Sequence, residues 1–229
     1  MKNFIVLFFS LALGMSSCVK EANQIPEQAQ LTENIENRGG PDCGPEGDCE
    51  PSVVEQVINV PVFGCSVTVI MRVTKCVDSY TGDITVYFEE EEEAIDINGD
   101  CDGVSLEFIE AAYTEAIFRY VQSQYRDQAP FCSSGGFVLS SKQIKTECQK
   151  YCIGPSLPGT TNYYWSACAN VQSCCIVTQK WCRDGEGNMI QDGPPSNEQV
   201  GECEGFFEGT CFQQPMPINY NPCNTARCN

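Results

Sequence analysis

Two residue types decide what chemistry this chain can do. Cysteine is abundant, with 17 in 229 residues, and histidine is absent. Without imidazole there is no Ser-His-Asp or Cys-His nucleophile, no His-ligated zinc and no histidine general base. Acids number 31 against 13 lysines and arginines, giving a net charge of −18. That charge repels phosphate backbones and anionic lipid surfaces, so nucleic-acid partners are excluded. The acids are also clustered. Asp96, Asn98, Asp100 and Asp102 set side-chain oxygens at alternate positions, and Glu107 follows as a helix begins. Such a set suits a hard cation such as Ca2+, which would be structural and would fix a strand-to-helix joint. The competing reading is a solvated acidic loop whose carboxylates favour the helix N-terminus behind it. Glu89 to Glu93 form a run of five, expected as a charged strand end that resists stray pairing, or as an acidic patch for a basic partner.

The thiols have their own arithmetic. With Cys18 set aside, sixteen remain: Cys43, Cys49, Cys65, Cys76, Cys101, Cys132, Cys148, Cys152, Cys168, Cys174, Cys175, Cys182, Cys203, Cys211, Cys223 and Cys228. An even set in an exported chain can close entirely into eight disulfides, and a catalytic thiol would break the parity. Zinc is the rival use. No CxxC pair and no His is present, and Cys148 and Cys152 would need the vicinal Cys174 and Cys175 as co-ligands, an awkward tetrahedral geometry. Spacing does not reveal which cysteines pair. It implies only that Cys174 and Cys175 reach different partners, because a vicinal bridge is strained.

The N-terminal residues give an address. Lys2 is followed by the apolar stretch Ile5 to Leu13, long enough for a signal-peptide core and too short to span a bilayer. Gly14-Met15-Ser16-Ser17-Cys18 then resembles the lipobox of bacterial lipoproteins. The resemblance implies a signal cut before Cys18, a diacylglycerol thioether on its sulfur and an acylated amino group. Several acyl chains anchor a protein stably, at roughly 0.8 kcal/mol per buried CH2. Val19 stands where inner-membrane lipoproteins carry Asp, which implies the outer membrane. Lys20-Glu21 resembles the charged export signal of surface lipoproteins in the Bacteroidota and implies display at the cell surface, with the periplasmic face as the alternative. Residues 96–107 resemble the DxNxD loops of EF-hand and dockerin-type modules. Asp96, Asn98, Asp100 and Glu107 match in one register, with Cys101 where those loops turn on Gly. Asn98, Asp100, Asp102 and Gly103 match in the other, with Glu110 one residue late.

These features must be positioned by ordered elements. The expected organisation is a signal peptide over 1–17, a flexible lipidated tether over 18–42, a small α+β region over 43–130 and a disulfide-rich β-meander with C-terminal loops over 131–229. The tether follows from residues 19–42, which hold no aromatic residue and no hydrophobic period. Val67, Val69, Met71 and Val73 alternate with polar residues, as do Ile84, Val86 and Phe88, and Asp78 to Asp83 is turn-forming, so an antiparallel hairpin is expected. Leu106, Ile109, Tyr113, Ala116, Ile117, Tyr120 and Val121 recur at three and four, predicting a helix from Ser105 to about Tyr125. Short strands are expected over 142–153, 161–168, 173–183 and 188–191, with the tail from 194 as bridged loops. The fold class so expected is α+β: an N-terminal hairpin with one amphipathic helix, then the stapled meander.

Function is legible only as a class. The expectation is a lipid-anchored outer-membrane lipoprotein that serves, without catalysis, as a binding or accessory subunit beside a larger envelope partner. An adhesin or glycan-binding module is the alternative, with Tyr163, Tyr164 and Trp165 able to stack on a sugar or to cover disulfides. A surface hydrolase working through paired carboxylates is the third, although no pair is singled out.

Overall fold

β-Branched and aromatic residues at alternate positions build strands because each strand presents every second side chain to one face. The computed structural model of the protein describes residues 43–98, 105–153, 160–171, 173–206 and 228. The first three strands are β1 (Val53–Val62), β2 (Cys65–Val77) and β3 (Ile84–Asn98), joined as antiparallel neighbours. On β2, Val67, Val69, Met71 and Val73 are buried on one face. The β2–β3 turn is held by Asp78, whose Oδ1 accepts the amides of Tyr80 at 2.8 Å and Thr81 at 2.9 Å. Gly82 takes φ +76° there, a conformation that L side chains rarely adopt.

Helix α1 (Leu106–Tyr125) starts at Ser105, whose hydroxyl oxygen accepts the Phe108 amide at 3.2 Å as an N-cap. Its buried residues are Phe108, Ile109, Ala112, Tyr113, Ala116, Ile117, Val121 and Tyr125, one stripe at helical spacing. The helix carries the chain from β3 to β4 (Leu139–Thr146), which lies parallel to β3. A parallel pair needs such a crossover. The stripe and the inward residues of β1, β2 and β3 form the main core, closed by Leu139, Trp165, Trp181 and Met189.

The rest of the chain extends this sheet. β5 (Gln149–Ile153) pairs with β6 (Thr160–Ala167), β6 pairs with β3, and β8 (Cys174–Arg183) pairs with β4, with β9 (Met189–Gln191) and with β10 (Ser196–Val200). Nine strands make one mixed sheet, and β7 (Ala169–Val171) with β11 (Glu204–Phe206) makes a second, two-stranded one. On the face away from α1, Cys43, Cys76, Tyr87, Ile144, Cys174 and Ile176 form a smaller core.

The expected α+β fold is therefore overturned. Eleven strands and one helix occur among the described residues, and the hairpin belongs to a sheet that continues past residue 130. The expected meander is also absent as such, because β4 lies between β3 and β8 while β6 lies between β3 and β5. Part of the expected loop tail forms β10 and β11. Alternation identifies a strand and its faces but carries no information about its neighbours, and those neighbours set the fold.

β3 is where the difference arises. Its first half, Ile84 to Glu89, pairs with β4, and its second, Glu93 to Asn98, pairs with β6. The change of partner falls inside the glutamate run. Against β2, Val69 faces Ile95 while Met71 faces Glu90, so residues 91–94 bulge opposite Ile70 alone. A run of five glutamates would have to desolvate like charges if it were paired continuously on both sides. The run does not end a strand, as expected from sequence; it divides one.

Candidate functional site

The sulfur chemistry is largely consumed by cross-links. Cys43–Cys174, Cys49–Cys76, Cys132–Cys182, Cys148–Cys203 and Cys175–Cys228 are disulfides. Cys65, Cys152 and Cys168 are disulfide-bonded as well, so each described cysteine is bonded. Adjacent residues of a strand point to opposite faces, which is why Cys174 and Cys175 reach different partners. Cys18, Cys101, Cys211 and Cys223 lie outside the described residues, as do the signal peptide and tether expected over 1–42.

Beside one bridge lies a polar knot that no sequence pattern marked. Glu147 is 1% exposed, and its Oε2 accepts the Ser173 hydroxyl at 2.5 Å and the Gln199 side-chain amide at 2.5 Å. The Glu147 amide donates to the Ser173 carbonyl at 2.9 Å, and Cys148 of the Cys148–Cys203 bridge adjoins both. A serine hydroxyl on a carboxylate is a component of nucleophile chemistry. Here the hydroxyl has no access to solvent, since Ser173 is 1% exposed. The knot ties the β4–β5 link to the start of β8 and to β10. The available signal was positional: Glu147 and Ser173 each directly precede a bridged cysteine.

The expected calcium ligands are only partly described. Asp96 lies within β3, opposite Thr68 of β2 and Asn162 of β6, and Asn98 ends the strand opposite Ser66 and Thr160. Strand pairing holds this segment extended, whereas a cation loop must wrap around its ion. Glu107 is exposed in the first turn of α1. Asp100 and Asp102 fall outside the described residues. Among the described residues no group of three acidic, Cys or His side chains gathers to hold a metal.

In the glutamate run, Glu91 pairs with Arg72 at 2.8 Å. Burial pushes the Glu89 carboxyl above its ordinary pKa; Arg72 pulls it down and Glu91 raises it further. The aromatic cluster serves the core. Trp165 is buried in the main core, against which Tyr163 also packs, so Trp165 is not presented for stacking on a ligand. Tyr163 is likewise pushed above its usual pKa by burial.

What the described sheet does present is β1. Among the described residues it pairs only with β2, and Val53, Val54 and Ile58 stand 49%, 58% and 59% exposed along it, with Phe63 at the following turn. Glu55 sits between the two leading valines and Val57, and it makes no ion pair among the described residues. A strand edge without an outer neighbour offers both backbone hydrogen bonds and apolar contacts. No protein-family model matches this chain, and no curated protein or solved structure is similar to it.

Proposed function

We propose that the protein is exported, anchored in the outer membrane by acyl chains on Cys18, and acts as a non-catalytic binding subunit of a larger cell-envelope assembly. The carrying observation is the bonding of all thirteen described cysteines. Extensive cross-linking suits an oxidising compartment, and an odd total of 17 cysteines agrees with one being lipidated, for which Cys18 in the lipobox-like segment is the candidate. A cross-linked sheet also suits a part that holds another protein, because little conformational freedom remains to be lost on association. Display at the cell surface follows from the export-signal resemblance.

Intact-mass spectrometry of the protein from its native membrane tests the anchor. The expected mass is that of the chain from Cys18 plus acyl groups, rising by about sixteen hydrogens on reduction if eight bridges are present. An unlipidated chain, or several thiols that react under native conditions, would overturn the proposal. Purification from detergent-solubilised outer membranes tests the role: a stoichiometric membrane partner is expected, and a solitary monomer would refute it.

A further inference from the structure

Among the described residues, the first half of β1 lacks the devices that usually close an exposed strand edge. Beyond Val57 those devices are present. Pairing with β2 slips between Val57 and Val60, and Asn59 takes φ +58°. The Asn59 carbonyl accepts Arg119 Nη1 at 3.4 Å, and its side-chain oxygen accepts the Ser66 hydroxyl at 3.2 Å. Pro61 then removes an amide donor. A bulge and a proline turn an edge away from would-be neighbours. Val53 to Val57 has no bulge, no proline and no lysine. The strand β10, elsewhere on the sheet, is polar from Ser196 to Gln199.

We infer that the Val53–Val57 edge takes an added strand from a partner polypeptide whose extended segment flanks one basic residue with β-branched residues. Unpaired edge amides and carbonyls are matched by an extended chain rather than by a helix, a sugar or a lipid. Charge selects between a foreign strand and a second copy. Glu55 is the sole titratable side chain on the segment and lies at its centre. Antiparallel self-pairing centred on five residues sets Glu55 directly against itself, a destabilising like-charge pair, between two molecules of charge −18. A Lys or Arg opposite Glu55 reverses the sign, and the flanking residues cover Val54. The inference rests on the reading that this ectodomain works by binding.

The test is fluorescence anisotropy with the full mature protein and a labelled extended peptide of Val and Thr carrying one central Lys. Saturable binding is expected, about fivefold weaker when the central residue is Glu, from a cross-strand pair worth about 1 kcal/mol. Glu55→Lys should reverse that preference, a readout that an unfolded variant could not give. N-methylation of the peptide amides on one edge should abolish binding, and on the other edge should leave it intact. Absence of saturable binding, equal affinity for both peptides, or indifference to N-methylation on both edges would each overturn the inference. So would a concentration-dependent dimer in sedimentation that Val54→Lys removes, since the second copy would then own the edge. The peptide readout does not depend on acylation, so an unlipidated protein that still binds sinks the anchor and leaves this inference standing.

Discussion

Removing the Cys43–Cys174 bridge tests how far covalent closure holds this sheet together. The bridge spans 131 residues of sequence, for which loop-closure entropy gives about 5 kcal/mol at 25 °C. Other bridges shorten the loop that is actually released. The covalent path through Cys49–Cys76 and Cys132–Cys182 is about 70 residues, which lowers the figure to about 4.4 kcal/mol. Cys49–Cys76 closes only 27 residues and has no shorter detour through those bridges, so the same relation gives about 3.5 kcal/mol. Burial adds to the difference, because Cys43 and Cys174 are 1% and 0% exposed and pack with Tyr87, Ile144 and Ile176. The paired variants Cys43→Ala/Cys174→Ala and Cys49→Ala/Cys76→Ala leave no stray thiol. Guanidinium unfolding followed by circular dichroism should place the first below the second by about 1 kcal/mol, with a steeper slope in both as the unfolded chain expands. A loss below about 1 kcal/mol for the first, or the reverse order, would refute closure as the source of stability and assign it to sheet pairing.

Three further outcomes follow from single side chains. Glu89→Gln should raise the melting temperature at neutral pH. Its burial-raised pKa means the charged form costs stability above that value, and the native protein should recover the gain as pH falls through it. A melting curve at several pH values checks this, and a constant offset would contradict it. Tyr125 is pushed up to about 12 by burial, with Tyr120 and Glu50 adding to it. The unfolded phenol ionises first, so stability should fall from about pH 10 until Tyr125 itself ionises; ultraviolet titration of Tyr125→Phe against the parent isolates the step. Tyr113→Phe removes a buried hydroxyl that donates to the Ile70 carbonyl at 3.2 Å, opposite the β3 bulge, and should cost about 1 kcal/mol in urea unfolding.

Local features were more legible than assembly. The alternation at Val67, Val69, Met71 and Val73 marks one face of β2, and the spacing from Leu106 to Val121 marks the stripe of α1, because both depend on near neighbours in sequence. Partner choice depends on distant segments. Nothing near Glu89 indicates that β4 lies beside it, or that β6 replaces β4 by Glu93. The charge of the glutamate run suggests a strand end, whereas the sheet accommodates the run by bulging. Cysteine parity was readable and connectivity was not, apart from the divergence of Cys174 and Cys175. The polar knot at Glu147 is illegible in the sequence because a buried carboxylate is identifiable only once its partners arrive from Ser173, directly before β8, and from β10. The β1 edge is illegible for a related reason: composition can mark Val53 to Val62 as a β segment, but which strands lie beside it depends on distant residues.

The vicinal pair has a mechanical consequence. Cys43 is joined to Cys174, Cys175 to Cys228, and a single peptide bond connects the two inner residues. Tension applied between Cys43 and Cys228 therefore travels through two sulfur bridges and the Cys174–Cys175 peptide bond, and the intervening chain bears almost none of it. Pulled between Cys43 and Cys228, the chain should lengthen by a few residues' worth and then resist like a short inextensible strap. Only after reduction would the hidden contour length be released.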